Sequence, residues 1–425
     1  MTKTRIHYAW FILVSCCVWM AAMVGINLSI IGVFYRPLSS GLNVAFTQIA
    51  LYTTFQTLSK AVTLPFIGKI MSKVNLKYFL SLVAVIMCGI FALTSLVTSL
   101  IQLYIIAAAI GVCGGVALYM AVPALLNAWF KSRLGFAMGI AMACQGIGGA
   151  IFNPIASNLI SVFGWRQTFW TMAVISLVLV LPFTLFVIKN KPEDIGLTAY
   201  GSENAGTGKG GSETANKSAT VLTGITAKEA WSQPAFYLII VVIISVAFTA
   251  AMQTHVANFA IASGISAAQS GFFVSACSIG MICGNPILGY LNDRIGIAKA
   301  AAVFCVLGIT AGIVGTMSAG NMPLVFATSF FLGMAIALLS VEMPLIVKAT
   351  FGLKDFNNIY SRLMMVNSVL ISISVIMIAS LYDISGNYNY VFYVIAAIQV
   401  ICGIVVFVVE RAGKKINTGE VNSAA

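Results

Sequence analysis

Long apolar runs separated by short polar connections set the pattern of this chain. A membrane-spanning helix needs about 20 consecutive apolar residues. Twelve runs qualify: 9–33, 46–69, 77–97, 101–126, 134–161, 167–188, 234–260, 267–291, 298–318, 322–347, 358–381 and 389–409. They are continuous, not alternating, which predicts helices and excludes the strands of a membrane barrel. Glycines inside them, such as Gly111, Gly114, Gly146 and Gly148, predict close helix contacts. Between the sixth and seventh runs, Tyr200 to Thr226 is rich in Gly, Ser, Thr, Ala and Asn, the composition of a flexible linker.

The two sides of that linker echo one another. Pro65 and Pro286, Gly68 and Gly289, Lys73 and Arg294, Pro123 and Pro344, and Phe130 and Phe351 are each 221 residues apart. One offset in two separate stretches is the mark of an internal repeat. The expected fold is an all-α membrane protein with twelve transmembrane helices in two pseudo-symmetric six-helix halves. The halves are 1–188 and 234–425, the second with a short polar tail expected to be disordered beyond Arg411, and a cytoplasmic linker, 189–233, joins them. Membrane proteins built from such repeats hold their substrate between the halves.

Composition agrees. The chain is 60% hydrophobic and 8% charged, against about 25% charged for a soluble domain, and its mean hydropathy is +1.00. The net charge of +12 raises the question of nucleic acid, but the cations do not form one soluble patch. Lys3 and Arg5, Lys69, Lys73 and Lys77, Lys131 and Arg133, Arg294 and Lys299, Lys348 and Lys354, and Arg411 all fall on one face, leaving Arg36 and Arg166 for the other. The positive-inside rule then makes both termini cytoplasmic. The first run follows Lys3 and Arg5 as a signal peptide would, but it is too long and lacks a cleavage site, so it is read as a retained helix. Trp10, Trp129, Trp165 and Trp231 lie near run ends, where interfacial anchors are expected. The nine cysteines fall inside apolar runs without a C-x-x-C pair and are read as small buried residues, with no metal site.

Ionisable residues inside spans are functional candidates by default. Lys60 lies mid-span, nine residues from Lys69, roughly 13 Å of helix, too far to snorkel fully. It therefore faces a cavity or a partner. Glu342 has Ala121 as its repeat counterpart, so it is no part of a repeated scaffold. It is a candidate proton carrier, or a partner for Lys348, Arg362 or Lys60. His255, in the outer half of the seventh run, is a candidate for substrate or proton handling, or hydrogen-bonds a neighbour. Arg362 is read as a scaffold or gate ion pair ahead of an anion clamp, and Arg36 and Arg166 as interfacial. Among the mid-depth polar residues Asn27, Gln56, Tyr119, Gln145, Asn153, Asn285 and Asn367, some serve as glue between helices. Asn27, Tyr119 and Asn285 are assigned to a cavity.

The segment Gly289-x-Leu291-x-Asp293-Arg294-x-Gly296-x-x-Lys299 resembles the signature loop of the major facilitator superfamily, and Gly68 to Lys73 is a degenerate copy. Within that superfamily the chain is similar to the oxalate/formate antiporter and monocarboxylate porter branch. The similarity rests on His7-Tyr8-Ala-Trp10, Asn127-Ala-Trp129-Phe130-Lys-Ser-Arg133, Pro192-Glu193-Asp194-Ile-Gly196-Leu197 and Phe351-Gly352-x-Lys354-Asp355-Phe356, with Gly164-Trp165-Arg166 and Gln253-x-His255 in support. The resemblance implies two halves rocking about a central site. Gly289, Asp293, Arg294 and Gly296 would be structural and gating, and Tyr119 would match a cavity tyrosine. It also exposes a departure: the position of the branch's anion-pairing Arg is Asn285, and that of its second cation, a Lys, is Val366 or Asn367. Either Lys60 supplies the charge, or the substrate is no simple anion.

The resulting expectation is a secondary active transporter of a small organic solute, a monocarboxylate-like acid, working by alternating access with protons or a counter-transported anion. Lys60, Tyr119, His255, Asn285 and Asn27 would bind substrate, and Glu342 and His255 would couple protons. The expected setting is a bacterial inner membrane, as a monomer without cofactor. The rivals are an exporter of an amphipathic or aromatic compound, a non-transporting membrane sensor, and an intramembrane enzyme. A sensor would need an added signalling domain, and no H-E-x-x-H or G-x-S-x-G occurs for an enzyme. No G-x-x-x-x-G-K-[ST] offers a nucleotide site.

Overall fold

In the computed structural model the described residues are 7–44, 46–202, 224–265 and 270–417. They form twelve long helices: α1 (Ala9–Tyr35), α2 (Phe46–Met71), α3 (Leu76–Leu96), α4 (Leu100–Trp129), α5 (134–163), α6 (165–187), α7 (Pro234–Ala262), α8 (Ser270–Ile295), α9 (Ile297–Thr316), α10 (Met322–Phe351), α11 (Phe356–Ser385) and α12 (Asn389–Asn417). The helix between Leu134 and Pro182 is divided at Gly164, whose φ of 80° and ψ of 164° break it into α5 and α6. Left-handed backbone of that kind is open to glycine and costly for other residues. Glycine breaks α8 from α9 in the same way, at Gly296 with φ 87°. Asp293 and Arg294 therefore stand in the last turn of α8 and not in a polar loop, a correction to the expected boundary at 291.

Other boundaries move outward because apolar periodicity ends before the helical hydrogen bonds do. α4 and α10 continue to Trp129 and Phe351, and the repeat-equivalent residues Phe130, which caps α4, and Phe351, which ends α10, are fully buried aromatics. Trp129 is not an interfacial anchor: it is fully buried, and its indole Nε1–H donates to the Lys189 carbonyl at 3.1 Å. α12 also continues past Arg411 to Asn417, supported by a Glu410–Lys414 ion pair of 2.8 Å one turn apart. The tail beyond 417, Lys3, Arg5 and the linker interior 203–223 lie outside the described residues, and so does the side chain of Arg36. Arg166 sits over the Trp165 ring at 4.2 Å and donates to the Val97 carbonyl at 3.2 Å, an end-of-helix arrangement.

The described ends of the linker dock on the two helix exits that the repeat relates. Tyr200 pairs with Phe130 as a single β-bridge, and its ring packs edge-on against His7 and Trp10. Gly224 pairs with Gly352, and the short helix Ala227–Ser232 begins with a Thr226–Glu229 capping box whose next amide, Ala227 N–H, donates to Asp355. Thr226 N–H and Oγ–H bonds to Glu229 hold that exposed carboxyl below its usual range.

The first six helices meet the last six along α5–α8 and α2–α11. Glycine makes both contacts possible. A Cβ on Gly135 would lie 2.5 Å from the Gly289 carbonyl, and one on Gly139 would lie 2.3 Å from the Asn285 carbonyl. On the other side, a Cβ on Gly68 would lie 2.2 Å from Ser361 Oγ. Gly135, Gly289 and Gly68 belong to the face that carries most of the lysines and arginines, hereafter the basic face. At that face the two sets of helices are sealed against each other.

Candidate functional site

Lys60 stands on α2 one turn after Gln56, whose backbone packs on Gly111 of α4. Its stem passes Gly114 of α4 beside Leu28 of α1; a Cβ on Gly114 would lie 3.6 Å from Lys60 Cδ. The side chain is 9% exposed. Among the described residues the one ion pair is Glu410–Lys414, and Lys60 has no hydrogen-bond acceptor. An unpaired ammonium inside a membrane protein is expensive, so its retention needs a reason.

Depth places Lys60 level with polar groups from the other side of the molecule. α2 and α11 run antiparallel and cross where Gly68 meets Ser361. Lys60 is eight residues above Gly68, and Val369 is eight above Ser361, about 12 Å in each case. Asn367 and Ser368 are therefore level with Lys60 within a turn. Tyr119 faces these two residues with its hydroxyl. It is carried by a π-helical segment of α4, Val116–Met120, a feature frequent at functional sites because it turns side chains off the α-helical register. Asn367 is fully buried, and neither its Nδ2 nor its Oδ1 completes a hydrogen bond. Tyr119, Asn367 and Ser368 thus meet between α4 and α11, and Lys60 of α2 stands at the same depth; together the four make the candidate constellation.

The other sequence candidates are not brought to it. Asn27 is fully buried, and its Nδ2 donates to Ser176 Oγ of α6 at 2.9 Å, so it joins helices within the first six. Asn285 accepts from Ser340 Oγ at 2.7 Å across α8–α10. Its carbonyl oxygen is thus taken up by Ser340, at the position where the resemblance implies an anion-pairing cation. His255 lies in a 3₁₀ turn of α7 near the opposite face, with Nε2 3.3 Å from the Val375 carbonyl and its ring 6.4 Å from Tyr388. Arg362 makes no ion pair among the described residues; its guanidinium lies over Trp231 of the short linker helix at 5.6 Å.

Glu342 is 1% exposed, in the π-helical segment Leu338–Glu342 of α10. Its partner is none of Lys348, Arg362 and Lys60. Asn292 Nδ2–H donates to Glu342 Oε2 at 2.8 Å. The next residue, Asp293, accepts from the amides of Gly135 and Phe136 at 2.9 and 2.8 Å. Those amides open α5, so the carboxylate sits on a helix N-terminus, where unsatisfied N–H groups and the dipole favour an anion. The contact joins α8 to α5 across the seal. Arg294 stays on its own helix, over the Tyr290 ring at 5.0 Å.

This geometry, a bundle of twelve helices with a carboxylate of α8 latched to the start of α5, coincides with a match to the family model of the Major Facilitator Superfamily over residues 17–314 and 246–423. The chain belongs to that superfamily. It is similar to human Monocarboxylate transporter 12, with 27% identity over 212 residues, which are 48% of this chain and 41% of that protein. The chain thus spans less than half the length of that relative. The Xenopus laevis protein of the same name is 23% identical over 356 residues, covering 77% of this chain and 74% of the relative. Among solved structures, the E. coli Fucose:proton symporter FucP superposes with a TM-score of 0.70 at 14% identity, covering 95% of this chain and 98% of that one. At that identity the likeness concerns the fold.

Asn292, Asn367 and Ser368 are the residues that sequence reasoning left out of the site. Asn367 carried a signal, since it is an amide at mid-depth and the position of a missing cation. Asn292 carried only its place beside Asp293.

Proposed function

We propose that the protein is a secondary active transporter of small monocarboxylate-like organic acids, coupled to protons. Its two six-helix halves, 1–188 and 234–425, rock about the Lys60 constellation while 189–233 tethers them. The observation that carries this reading is Lys60, a buried ammonium without a protein partner, level with the unpaired carboxamide of Asn367. A substrate carboxylate would supply the missing counter-charge, and its remaining polar atoms would satisfy Asn367 and the Tyr119 hydroxyl. Buried charges are tolerated when paired, so the site is completed by an anion. The name of the human relative, a monocarboxylate transporter, agrees with this chemistry. Asn285, held by Ser340, leaves α8 without a cation, so the charge comes from α2.

Glu342 is the proton carrier in this reading, because it is a buried carboxyl with no cationic partner. His255 belongs to the outer end of α7 and would act there as a gate residue. With the basic face cytoplasmic, the protein is a multi-pass protein of a bacterial inner membrane with both termini inside, and the present seal closes the cytoplasmic side. The test is uptake of labelled lactate-sized monocarboxylates into proteoliposomes, with and without an imposed proton gradient. Gradient-stimulated uptake is the expected result. Failure of folded protein to take up any carboxylate, together with uptake of a neutral or cationic solute, would refute it.

A further inference from the structure

We infer that Glu342 carries a proton while the basic face is sealed, and that loss of this proton loosens the seal through Asn292 and Asp293. The inference deepens the proton-coupled reading but involves no substrate.

The hydrogen-bond inventory leads to it. Glu342 Oε2 accepts from Asn292 Nδ2. The remaining oxygens of the same two planar groups, Glu342 Oε1 and Asn292 Oδ1, are both buried without a partner. An ionised carboxylate has only acceptors, and the Asn292 carbonyl oxygen is another acceptor. A proton on Oε1 changes this, since Oε1–H can donate to Oδ1. The acid and the amide then form a closed pair with two hydrogen bonds, and both orphaned atoms are satisfied. Buried polar groups in folded proteins are almost always satisfied, so the geometry points to the neutral acid.

The surroundings support the same state. α8 brings Asn292, α9 brings the Cys305 thiol and α12 the Cys402 thiol, with Ser245 of α7 beside Cys402. No cation pairs with Glu342 from any of these helices or from α5; Arg133, at the start of α5, acts on Asp293 instead. Ionisation would therefore place a carboxylate with a single hydrogen bond in the protein interior, opposite the oxygen of its own partner. Relief would require Asn292 to turn away or the carboxylate to move toward water.

Asn292 cannot move alone. It shares a helical turn with Asp293, whose carboxylate holds the amides of Gly135 and Phe136 in the first turn of α5. It also lines, with Asp293, Gly135 and Lys348, a cavity of about 540 Å³ at the basic face. That cavity supplies a short path for the proton to the adjoining solution. Asn292 is thus a positioning residue: it senses the charge on Glu342 and holds the turn that bears the latch.

The experiment is hydrogen exchange by mass spectrometry on the full chain in lipid nanodiscs, following the start of α5, residues 134–139. Rates are compared between about pH 6 and pH 9 after correction for intrinsic exchange. In wild type, protection should fall by at least about fivefold across that range, the lower end of ordinary coupling between sites. Glu342→Gln, whose amide can keep both hydrogen bonds, should stay protected throughout. Asn292→Leu should exchange fast at every pH. Infrared difference spectra of wild type should show a protonated-carboxyl band lost with the same midpoint, a reading that needs no variant to fold. Wild-type protection that does not change with pH, a Glu342→Gln protein that follows wild type, or a carboxyl band with a different midpoint would each overturn the inference. None of these results depends on which solute is carried.

Discussion

Replacing Lys60 with Met should move stability and affinity in opposite directions. Met conserves most of the volume packed against Gly114 and Leu28 and removes the charge. In the substrate-free protein Lys60 has no counter-ion among the described residues, so the ammonium is a desolvation cost with no Coulombic return. Replacing even a buried ion pair by apolar groups of similar size is often neutral or stabilising by about 1–4 kcal/mol, and a lone ammonium has no Coulombic partner to lose. Lys60→Met should therefore unfold at the same temperature or a few degrees higher in detergent. With a bound carboxylate, the same change deletes one member of a buried pair, which costs about 2–5 kcal/mol, or roughly a 30- to 5,000-fold rise in Kd. The assay is thermal unfolding across a titration with a labelled monocarboxylate. Wild type should gain stability with ligand, and Lys60→Met should start higher and gain none. A Lys60→Met protein that is destabilised without ligand would mean that Lys60 is paired within the fold, and the argument would fail.

Three further outcomes follow from the contacts at the seal and the site. Gly68→Val puts a Cβ within 2.2 Å of Ser361 Oγ and 2.6 Å of the Asn357 carbonyl, an overpacking cost of about 1–3 kcal/mol. The cost is relieved by parting α2 from α11, so the distance between spin labels at the exposed positions Val74 and Lys354 should lengthen. Asp293→Asn weakens two charge-assisted bonds to the start of α5, about 1.5–3 kcal/mol each when lost outright. The same label pair should report a larger open fraction, and an unchanged distance distribution would remove Asp293 from the latch. Asn367→Leu deletes two buried orphan atoms, so thermal stability should hold or rise while carboxylate uptake falls; unchanged uptake would take Asn367 out of the site.

The fold was largely legible because membrane burial writes itself as continuous apolar runs, and twelve runs became twelve helices among the described residues. Boundaries were less legible, because a helix continues wherever its backbone bonds do, as α8 does through Asp293 to Ile295. Trp129 shows the limit of reading depth from composition: its position suggested a water interface, while the Tyr8 ring and the start of the linker at Lys189 bury it. Within the site, Lys60 stood out by charge alone. Direction around a helix could not be read in the same way. Asn27, Asn285 and Asn367 share residue type and depth, yet the first bonds Ser176 through its Nδ2, the second bonds Ser340 through its Oδ1, and only in the third are both amide atoms buried without a partner. Nothing in the sequence chose Asn292 as the partner of Glu342, because that pairing depends on the register between α8 and α10.

The central claim is that the ammonium of Lys60 receives the substrate's carboxylate. Its most direct measurement is counterflow in proteoliposomes loaded with an unlabelled monocarboxylate, following entry of the labelled acid or of its uncharged amide. Wild type should accumulate the acid and not the amide, and Lys60→Met, reconstituted and folded, should accumulate neither. Counterflow of the acid by Lys60→Met at the wild-type rate would contradict the account.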